Sequence, residues 1–381
     1  MRGAALALLV AGCYRPTIED ACSVTCDFAG AAQCPGDLQC FADNVCHDPA
    51  APACPGDGGH GAFDANLVFV TSQTFNIGTI GSVAAADAIC QSVADGRQLP
   101  GTYRAWLATA AAPASAQLGN ARGWVRPDNR PVVDRVPDLL AGKLFYPPRL
   151  DEFGVDHPDG TFAVATGSAP DGSVEFNCSD YTSASGGLMA GRSDATTQTW
   201  TRDATLPCNA MAHLYCFGVD RDVAIVVPPP PAGQKRAFIT ANAFTANAGG
   251  RAGADLACDT EARTAAIDGT FQAFIATTFA SAASRFGDGP WFRLDGVEIG
   301  TLVTPIAPLN VTAGGAYVTT TAWTGAITPS DLGSSATTCD DWVQFAGTGA
   351  QGDARRSAPG PLFFLGTANC TTPAQIYCLE Q

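Results

Sequence analysis

Gly101-Thr102-Tyr103-Arg104-Ala105-Trp106-Leu107-Ala108-Thr109 is echoed later in the chain by Gly269-Thr270-Phe271-Gln272-Ala273-Phe274-Ile275-Ala276-Thr277. Each stretch begins 11 residues after a cysteine, Cys90 or Cys258. Each cysteine closes a run containing Ala-Asp, namely Ala86-Asp87-Ala88-Ile89-Cys90 and Ala254-Asp255-Leu256-Ala257-Cys258. Two copies in one register mean a duplicated domain. The match continues downstream. Trp124-Val125-Arg126 with Asp128 is repeated as Trp291-Phe292-Arg293 with Asp295, and Cys178-Ser179-Asp180-Tyr181 as Cys339-Asp340-Asp341-Trp342. Cys208 and Cys216 find their counterparts in Cys370 and Cys378. Each repeat owns four cysteines, and pairing within a repeat is expected over exchange between repeats.

The 381 residues allow two to three domains, and 46% hydrophobic content against 15% charged supplies real cores. A net charge of −15 argues against nucleic acid and other polyanions as partners. Fifteen cysteines point to an oxidising compartment and a disulfide framework.

The N-terminus carries Met1-Arg2, a short apolar run from Ala4 to Ala11, and then Leu9-Val10-Ala11-Gly12-Cys13. This looks like a bacterial lipobox, which makes 1–13 a lipoprotein signal peptide and Cys13 the lipidated residue. An ordinary signal peptide is the other reading of the same run, which is too short to span a bilayer. Setting Cys13 aside leaves an even number of cysteines. Tyr14 after Cys13, in place of Asp, suggests the outer membrane.

Residues 14–55 form a small module with Cys22, Cys26, Cys34, Cys40, Cys46 and Cys54. A segment this short needs staples to fold, so three disulfides are expected among the six, in a connectivity that spacing does not assign. Zinc is the weaker reading, because only His47 and His60 lie nearby and at no finger spacing. The module resembles the short cysteine-rich modules that follow the anchor in many myxobacterial surface lipoproteins.

A Gly-rich linker at 56–66 leads to a first domain at 67–223. Leu67-Val68-Phe69-Val70-Thr71 predicts a strand, and Gly81 to Arg97 a helix with Ala85, Ile89 and Val93 on one face. Short strands are expected at Val132-Val133, Leu144-Phe145-Tyr146 and Phe162-Ala163-Val164, and a last one at Ala212 to Phe217. Residues 224–236 hold four consecutive prolines, which make an extended, semi-rigid spacer. A second domain follows at 237–381.

The fold class expected is α+β: two tandem domains stapled by disulfides. The pattern of early strand, Gly-Ala-Asp helix ending in cysteine, Gly-Thr-Phe/Tyr turn, Trp-x-Gly segment and four cysteines resembles the C-type-lectin-like fold. Within it, the pattern is closest to the endostatin-like branch, the C-terminal domain of collagens XV and XVIII. The resemblance covers 67–218 and 237–381. Trp323-Thr324-Gly325 supplies the Trp segment in the second domain, whereas the first has Ala165-Thr166-Gly167. The resemblance implies nested disulfides: Cys90 with Cys216 and Cys178 with Cys208, then Cys258 with Cys378 and Cys339 with Cys370.

No zinc-protease, nucleophile-elbow or phosphate-loop motif occurs. His213, beside Cys216, reads as a structural histidine, and His157 as part of a turn. Asp151, Glu152, Asp156 and Asp159 crowd one stretch and could hold Ca²⁺, although a solvated acidic loop explains them more simply. The sugar-binding triplets of calcium-dependent lectins are missing, as are the basic surface and N-terminal zinc histidines of endostatin relatives. Asp180 and Asp341 recur in register and serve either to cap a turn or to line a ligand site. With them, Tyr181, Trp342, Trp200 and Trp323 are the candidate ligand-binding residues, as rings that could stack on sugars or anchor a protein. Core packing is the competing role for each ring.

These observations predict an exported, non-enzymatic lipoprotein with no cofactor or metal centre. It would touch the membrane only through its anchor and bind a protein or glycan at the bacterial cell surface. A structural role in the envelope is the first alternative. An enzyme on a lectin-like fold, of the kind formylglycine-generating enzymes represent, is the second.

Overall fold

The computed structural model describes residues 64–156, 163–247, 249–287, 289–301 and 303–381, with 34, 38–41, 46, 47 and 49 near the N-terminus. The chain divides into two compact units, Met1–Ala62 and Phe63–Gln381. In the first unit, Gln39–Cys40 pairs antiparallel with Cys46–His47, and Cys34 is bonded to Cys46. Cys40 is also in a disulfide. Cys13, Cys22, Cys26, Cys54, His60, His157 and Asp159 lie outside the described residues.

The second unit is mixed α+β and contains two sheets. The first repeat runs β1 (Asn66–Val70), β2 (Phe75–Asn76), α1 (Val83–Gly96), β3 (Tyr103–Ala105), β4 (Trp124–Val125) and β5 (Pro131–Val133). It continues with α2 (Val136–Leu140), β6 (Ala163–Ala165), β7 (Gly187–Arg192), β8 (Ala204–Pro207) and β9 (Met211–Gly218). The second runs β10 (Lys235–Ile239), α3 (Gly250–Thr264), β11 (Phe271–Ala273), β12 (Trp291–Arg293), β13 (Glu298–Gly300) and β14 (Thr321–Trp323). It ends with β15 (Thr348–Asp353), α4 (Pro359–Phe363), β16 (Gly366–Asn369) and β17 (Gln375–Glu380). Strand order is β8-β7-β6-β9-β1-β4-β5 in one sheet and β16-β15-β14-β17-β10-β12-β13 in the other. The two orders are the same, position for position. β3 and β11 pair with the last strands β9 and β17.

The central strands β1 and β9 are buried along nearly their whole length, which accounts for their unbroken apolar runs. Helix α1 starts at Ser82, whose hydroxyl accepts from the Ala85 amide (3.1 Å). Its apolar buried line is Ala86, Cys90 and Ala94, one residue on from the Ala85, Ile89, Val93 face expected from spacing. The disulfide explains the shift: Cys90 is bonded to Cys216 on β9, and the helix turns its small residues toward the sheet to reach it. In α3 the same line is Ala254, Cys258 and Ala262, with Cys258 bonded to Cys378. Closing loops of more than a hundred residues, each bridge contributes about 4–5 kcal/mol in the chain-entropy model. The repeated Ala-Asp also finds its reason here. Asp87 Oδ1 accepts the Ala105 amide (2.8 Å) and Asp255 Oδ1 the Ala273 amide (2.9 Å), locking each helix to its following strand.

The stretch Leu144-Phe145-Tyr146 is not a strand. Leu144 fills the first core, while the Tyr146 hydroxyl accepts the Glu298 amide from the other repeat (2.9 Å). The proline-rich segment is likewise fastened over its first residues. Ile225 N–H donates to Asp134 (2.8 Å), and Val227 packs with Tyr146, Val297 and Ala307. Gly296 (φ 90°) is required there, since a Cβ would meet the Pro228 carbonyl at 1.9 Å.

The repeats meet across a seam with approximate two-fold symmetry. The pairing of β6 with β7 and of β14 with β15 puts Gly191 and Gly352 at equivalent positions, so Ala195 corresponds to Arg356. These two residues form an antiparallel bridge with each other. Around it, Thr196 N–H donates to Arg355 O and Ser357 N–H to Asp194 O, both at 2.9 Å, and these bonds are symmetry mates. Arg149 Nη1 donates to Ser357 Oγ (2.8 Å), mirrored by Asn310 Nδ2 donating to Thr196 Oγ1 (3.0 Å). A surface meeting its own equivalent in this way is the geometry of a symmetric dimer. The charges break the symmetry. Arg192–Asp194 in one repeat is reversed as Asp353–Arg355 in the other, and the buried Arg356 pairs with the buried Asp194 (2.7 Å).

The Trp-x-Arg-x-Asp motif buries an arginine in each repeat. Arg126 reaches both oxygens of Asp128 (3.0 and 2.5 Å), and Arg293 both oxygens of Asp295 (3.0 and 2.6 Å). Burial opposes ionisation of the two carboxyls, but the adjacent guanidinium outweighs it and holds both below the usual carboxylate range.

Candidate functional site

The candidates Asp180, Tyr181, Asp341 and Trp342 lie on one unusual feature, present in both repeats. Residues Cys178–Tyr181 and Cys339–Trp342 each make a single left-handed turn, with φ between 50° and 66° at all eight positions. None is glycine, and left-handed backbone costs about 1–2 kcal/mol per such residue. Local bonds over-determine the conformation. Asn177 Oδ1 accepts the Asp180 amide (3.1 Å), and Thr338 Oγ1 accepts the Asp341 amide (3.1 Å). Cys178–Cys208 and Cys339–Cys370 tie both turns to the strand that follows β7 and β15. The cysteine pairing is thus nested in each repeat.

The turns hold a neighbouring loop in place. Asp180 Oδ1 accepts the Ala110 amide (2.9 Å), and Asp341 Oδ1 the Thr278 amide (2.7 Å), with the Thr278 hydroxyl added on Oδ2 (2.6 Å). Tyr181 and Trp342 are fully buried beneath the turn and reach the same place by different chemistry. The Tyr181 hydroxyl donates to Ala108 O (2.6 Å), and the Trp342 indole N–H donates to Ala276 O (2.9 Å). Burial pushes the Tyr181 hydroxyl pKa well up, with Asp180 adding to the rise, so it stays a donor.

The aromatic candidates are therefore corrected: Tyr181, Trp200, Trp323 and Trp342 are each no more than 1% exposed, and no ligand reaches their faces. Trp200 sits in the first core against Trp106 and Tyr215. Trp323 stacks edge-on with Trp342 and donates to Phe244 O (3.2 Å). Their size is spent on roofing small sheets, because short strands bury too little by themselves. Asp180 and Asp341 are half-buried and occupied with loop amides, which makes them turn and loop pins.

The acidic stretch is dispersed in the same manner. Asp151 Oδ1 accepts the Phe153 and Val155 amides (both 2.9 Å), and Glu152 accepts from the Ser72 amide (2.7 Å) and hydroxyl. Asp156 pairs with Arg149 (2.6 Å). Among the described residues no group of three or more His, Cys, Asp or Glu is placed to hold a metal. His213 is buried with Nδ1 at 2.6 Å from Thr71 O, and its partner position in the second repeat is Gln375.

What the sequence reading missed is an apolar surface. Phe279 is 88% exposed, and Ile327, Leu332, Val343 and Phe345 are about half exposed or more. They lie on three loops cross-linked by Thr278 to Asp341, Gly333 N–H to Thr277 O and Ala283 N–H to Pro329 O. In the first repeat the positions matching Phe279, Val343 and Phe345 are Ala111, Thr182 and Ala184. The signal was present in the alignment of the two repeats, where large apolar residues replace small or polar ones just beyond a shared frame.

The five disulfides among the described residues belong to an oxidising, extracytoplasmic setting, and no described helix is long and apolar enough to cross a membrane. No protein-family model matches the chain, and no curated protein is significantly similar to it.

Proposed function

We propose that this chain is an exported, lipid-anchored protein of the bacterial envelope, outer-membrane in location. In this reading its two endostatin-like, C-type-lectin-like repeats serve non-enzymatic binding. The ligand is a protein, contacted by the loops of the second repeat. The observation that carries the reading is the set of large apolar residues held outward on loops that are themselves rigidly pinned. Exposed apolar side chains on an ordered frame lose little entropy on binding, which is how interface anchors work. A glycan is less suited, because the rings that would stack on sugar faces are buried and phenylalanine and aliphatic side chains offer no hydrogen bonds. The lipid anchor rests on the Cys13 sequence, and the surface location follows from it.

The test is to probe protein and glycan arrays with the full-length protein and a Phe279→Ser/Val343→Ser double variant. Binding to protein targets that the variant loses is the expected result. Glycan-only binding, or protein binding that the variant keeps, would overturn the assignment of these loops. Mass analysis of the mature N-terminus, showing acyl mass on Cys13 or none, decides the anchor separately.

A further inference from the structure

The apolar loops of the second repeat carry a charge pattern as well, and the first repeat serves as its reference. Where the first has Thr182 and Ala184, the second has Val343 and Phe345, and where the first has Ser179, the second has Asp340. Asp340 is exposed, and so is Asp331, one residue before the exposed Leu332. Each acid spends one oxygen locally. Asp340 Oδ2 accepts the Gln344 side-chain amide (2.6 Å), and Asp331 Oδ2 accepts the Thr328 backbone amide (3.1 Å). Both donors are uncharged, so these bonds leave the negative charge in place.

Basic residues are missing from these loops or turned inward. From Phe286 to Ala354 the chain has one basic residue, Arg293, and it is buried on Asp295. Arg285, just before that stretch, is committed to Asp255 on α3 (2.6 Å) and to the Ala273 carbonyl (2.8 Å). Arg251 marks one margin. It is exposed at the start of α3, next to Gly250, on which a Cβ would meet Val343 Cγ1 at 3.3 Å.

We infer that the protein bound by these loops presents an apolar segment flanked by lysine or arginine. Its apolar side chains meet Phe279, Leu332 and Val343, and its cations meet Asp331 and Asp340. This inference rests on the reading of the loops as a protein-binding surface and names the chemistry of what binds there. Apolar contact is non-directional and would accept many segments. Charge decides among them. An acidic flank brought against Asp331 and Asp340 meets like charge, whereas a basic flank gains opposite charge and is steered in by a protein of net charge −15. The first repeat has neither the large side chains nor an acid at the position of Asp340, so a single site is expected.

The experiment is fluorescence anisotropy of a labelled amphipathic peptide of leucine and lysine, titrated with the full-length protein. Leucine–glutamate and serine–lysine peptides of the same pattern are the controls. Saturable, single-site binding of the leucine–lysine peptide is expected, at least tenfold tighter than either control. It should weaken several-fold between about 50 and about 500 mM NaCl. Phe279→Ser/Val343→Ser should weaken it at least tenfold and Asp331→Asn/Asp340→Asn about fivefold, while Arg251→Ser should hold or tighten it. Asparagine keeps an acceptor oxygen and tolerates the left-handed backbone at 340 (φ 56°), so an unchanged melting temperature is expected. If that double variant melts early, Asp331→Asn and Arg251→Ser carry the charge test. No saturable binding, equal affinity for the leucine–glutamate or the serine–lysine peptide, or affinity unchanged in the asparagine or serine variants at 279, 331, 340 and 343 would each overturn the inference. Array partners that Phe279→Ser/Val343→Ser loses, but that bind through segments without lysine or arginine, would leave the protein-binding reading standing and overturn this one alone.

Discussion

The two repeats share a polar frame and differ in what fills it. Asp87 and Asp255, Asp180 and Asp341, Arg126 and Arg293, and the four disulfides occupy matching positions and do matching work. The apolar positions have drifted apart. The first repeat packs Trp106, Trp200 and Phe217 where the second has Phe274, Leu362 and Leu379, and the second packs Trp323 and Phe363 where the first has Ala165 and Thr201. Directional bonds tolerate little change, because a lost partner strands a buried polar group. Apolar packing tolerates exchange as long as volume is roughly kept. Duplication followed by drift therefore leaves the frame legible and places new properties in the apolar positions.

The largest test of that contrast lies in the buried arginines. Arg293→Ala leaves Asp295 with the Tyr317 hydroxyl (2.7 Å) but no cation, and is expected to cost about 3–5 kcal/mol by urea unfolding. Arg126→Ala should cost less, because Asp128 keeps Arg130 at 3.2 Å. Equal losses would show that Arg130 does nothing for Asp128 once Arg126 is gone.

Next comes the difference in filling. Trp200→Leu, which gives the first repeat the residue of the second, should open a cavity and cost about 2–4 kcal/mol. The reverse change, Leu362→Trp, adds bulk beside Phe363, which already packs on Phe274, and should cost about 1–3 kcal/mol. No loss from Leu362→Trp would mean that the second core has room to spare.

Smaller effects concern the pins. Asp341→Asn keeps the shape but weakens acceptance from Thr278, for an expected loss of about 1–2 kcal/mol, and Asp180→Asn somewhat less because it lacks the hydroxyl donor. Hydrogen exchange at the Thr278 and Ala110 amides reads this directly. Acid acts on both repeats together. Asp128 and Asp295 have folded-state pKa values below their unfolded ones, so their contribution is fully present above about pH 4 and is lost as pH falls below it. A urea midpoint flat through that range would remove these pairs from the stability account. Smallest of all, Phe279→Ser should change stability by less than about 0.5 kcal/mol, leaving any loss of binding attributable to the surface.

The repeat spacing, carried by short motifs around cysteine, aspartate and tryptophan, was enough to mark the duplication, the helix in each repeat and the first and last strands, which pair at the centre of each sheet. Those features depend on local pattern and on residues whose bonds permit few substitutes. Helix α1 turned one residue from its expected face because a disulfide to β9, more than a hundred residues away, set its rotation. Leu144-Phe145-Tyr146 had strand composition but serves the first core and the seam. The aromatic residues read as potential ligand platforms are roof beams, since ring chemistry is the same in either role and burial alone separates them.

The sequence by itself determined that this protein is a stapled duplication with a recurring polar frame, because those residues act through bonds to near neighbours or to one unique partner. Only the tertiary structure decided that the repeats join along a two-fold seam, and which rings are exposed. Those properties are sums over many residues from distant parts of the chain, and no single stretch of it records the sum.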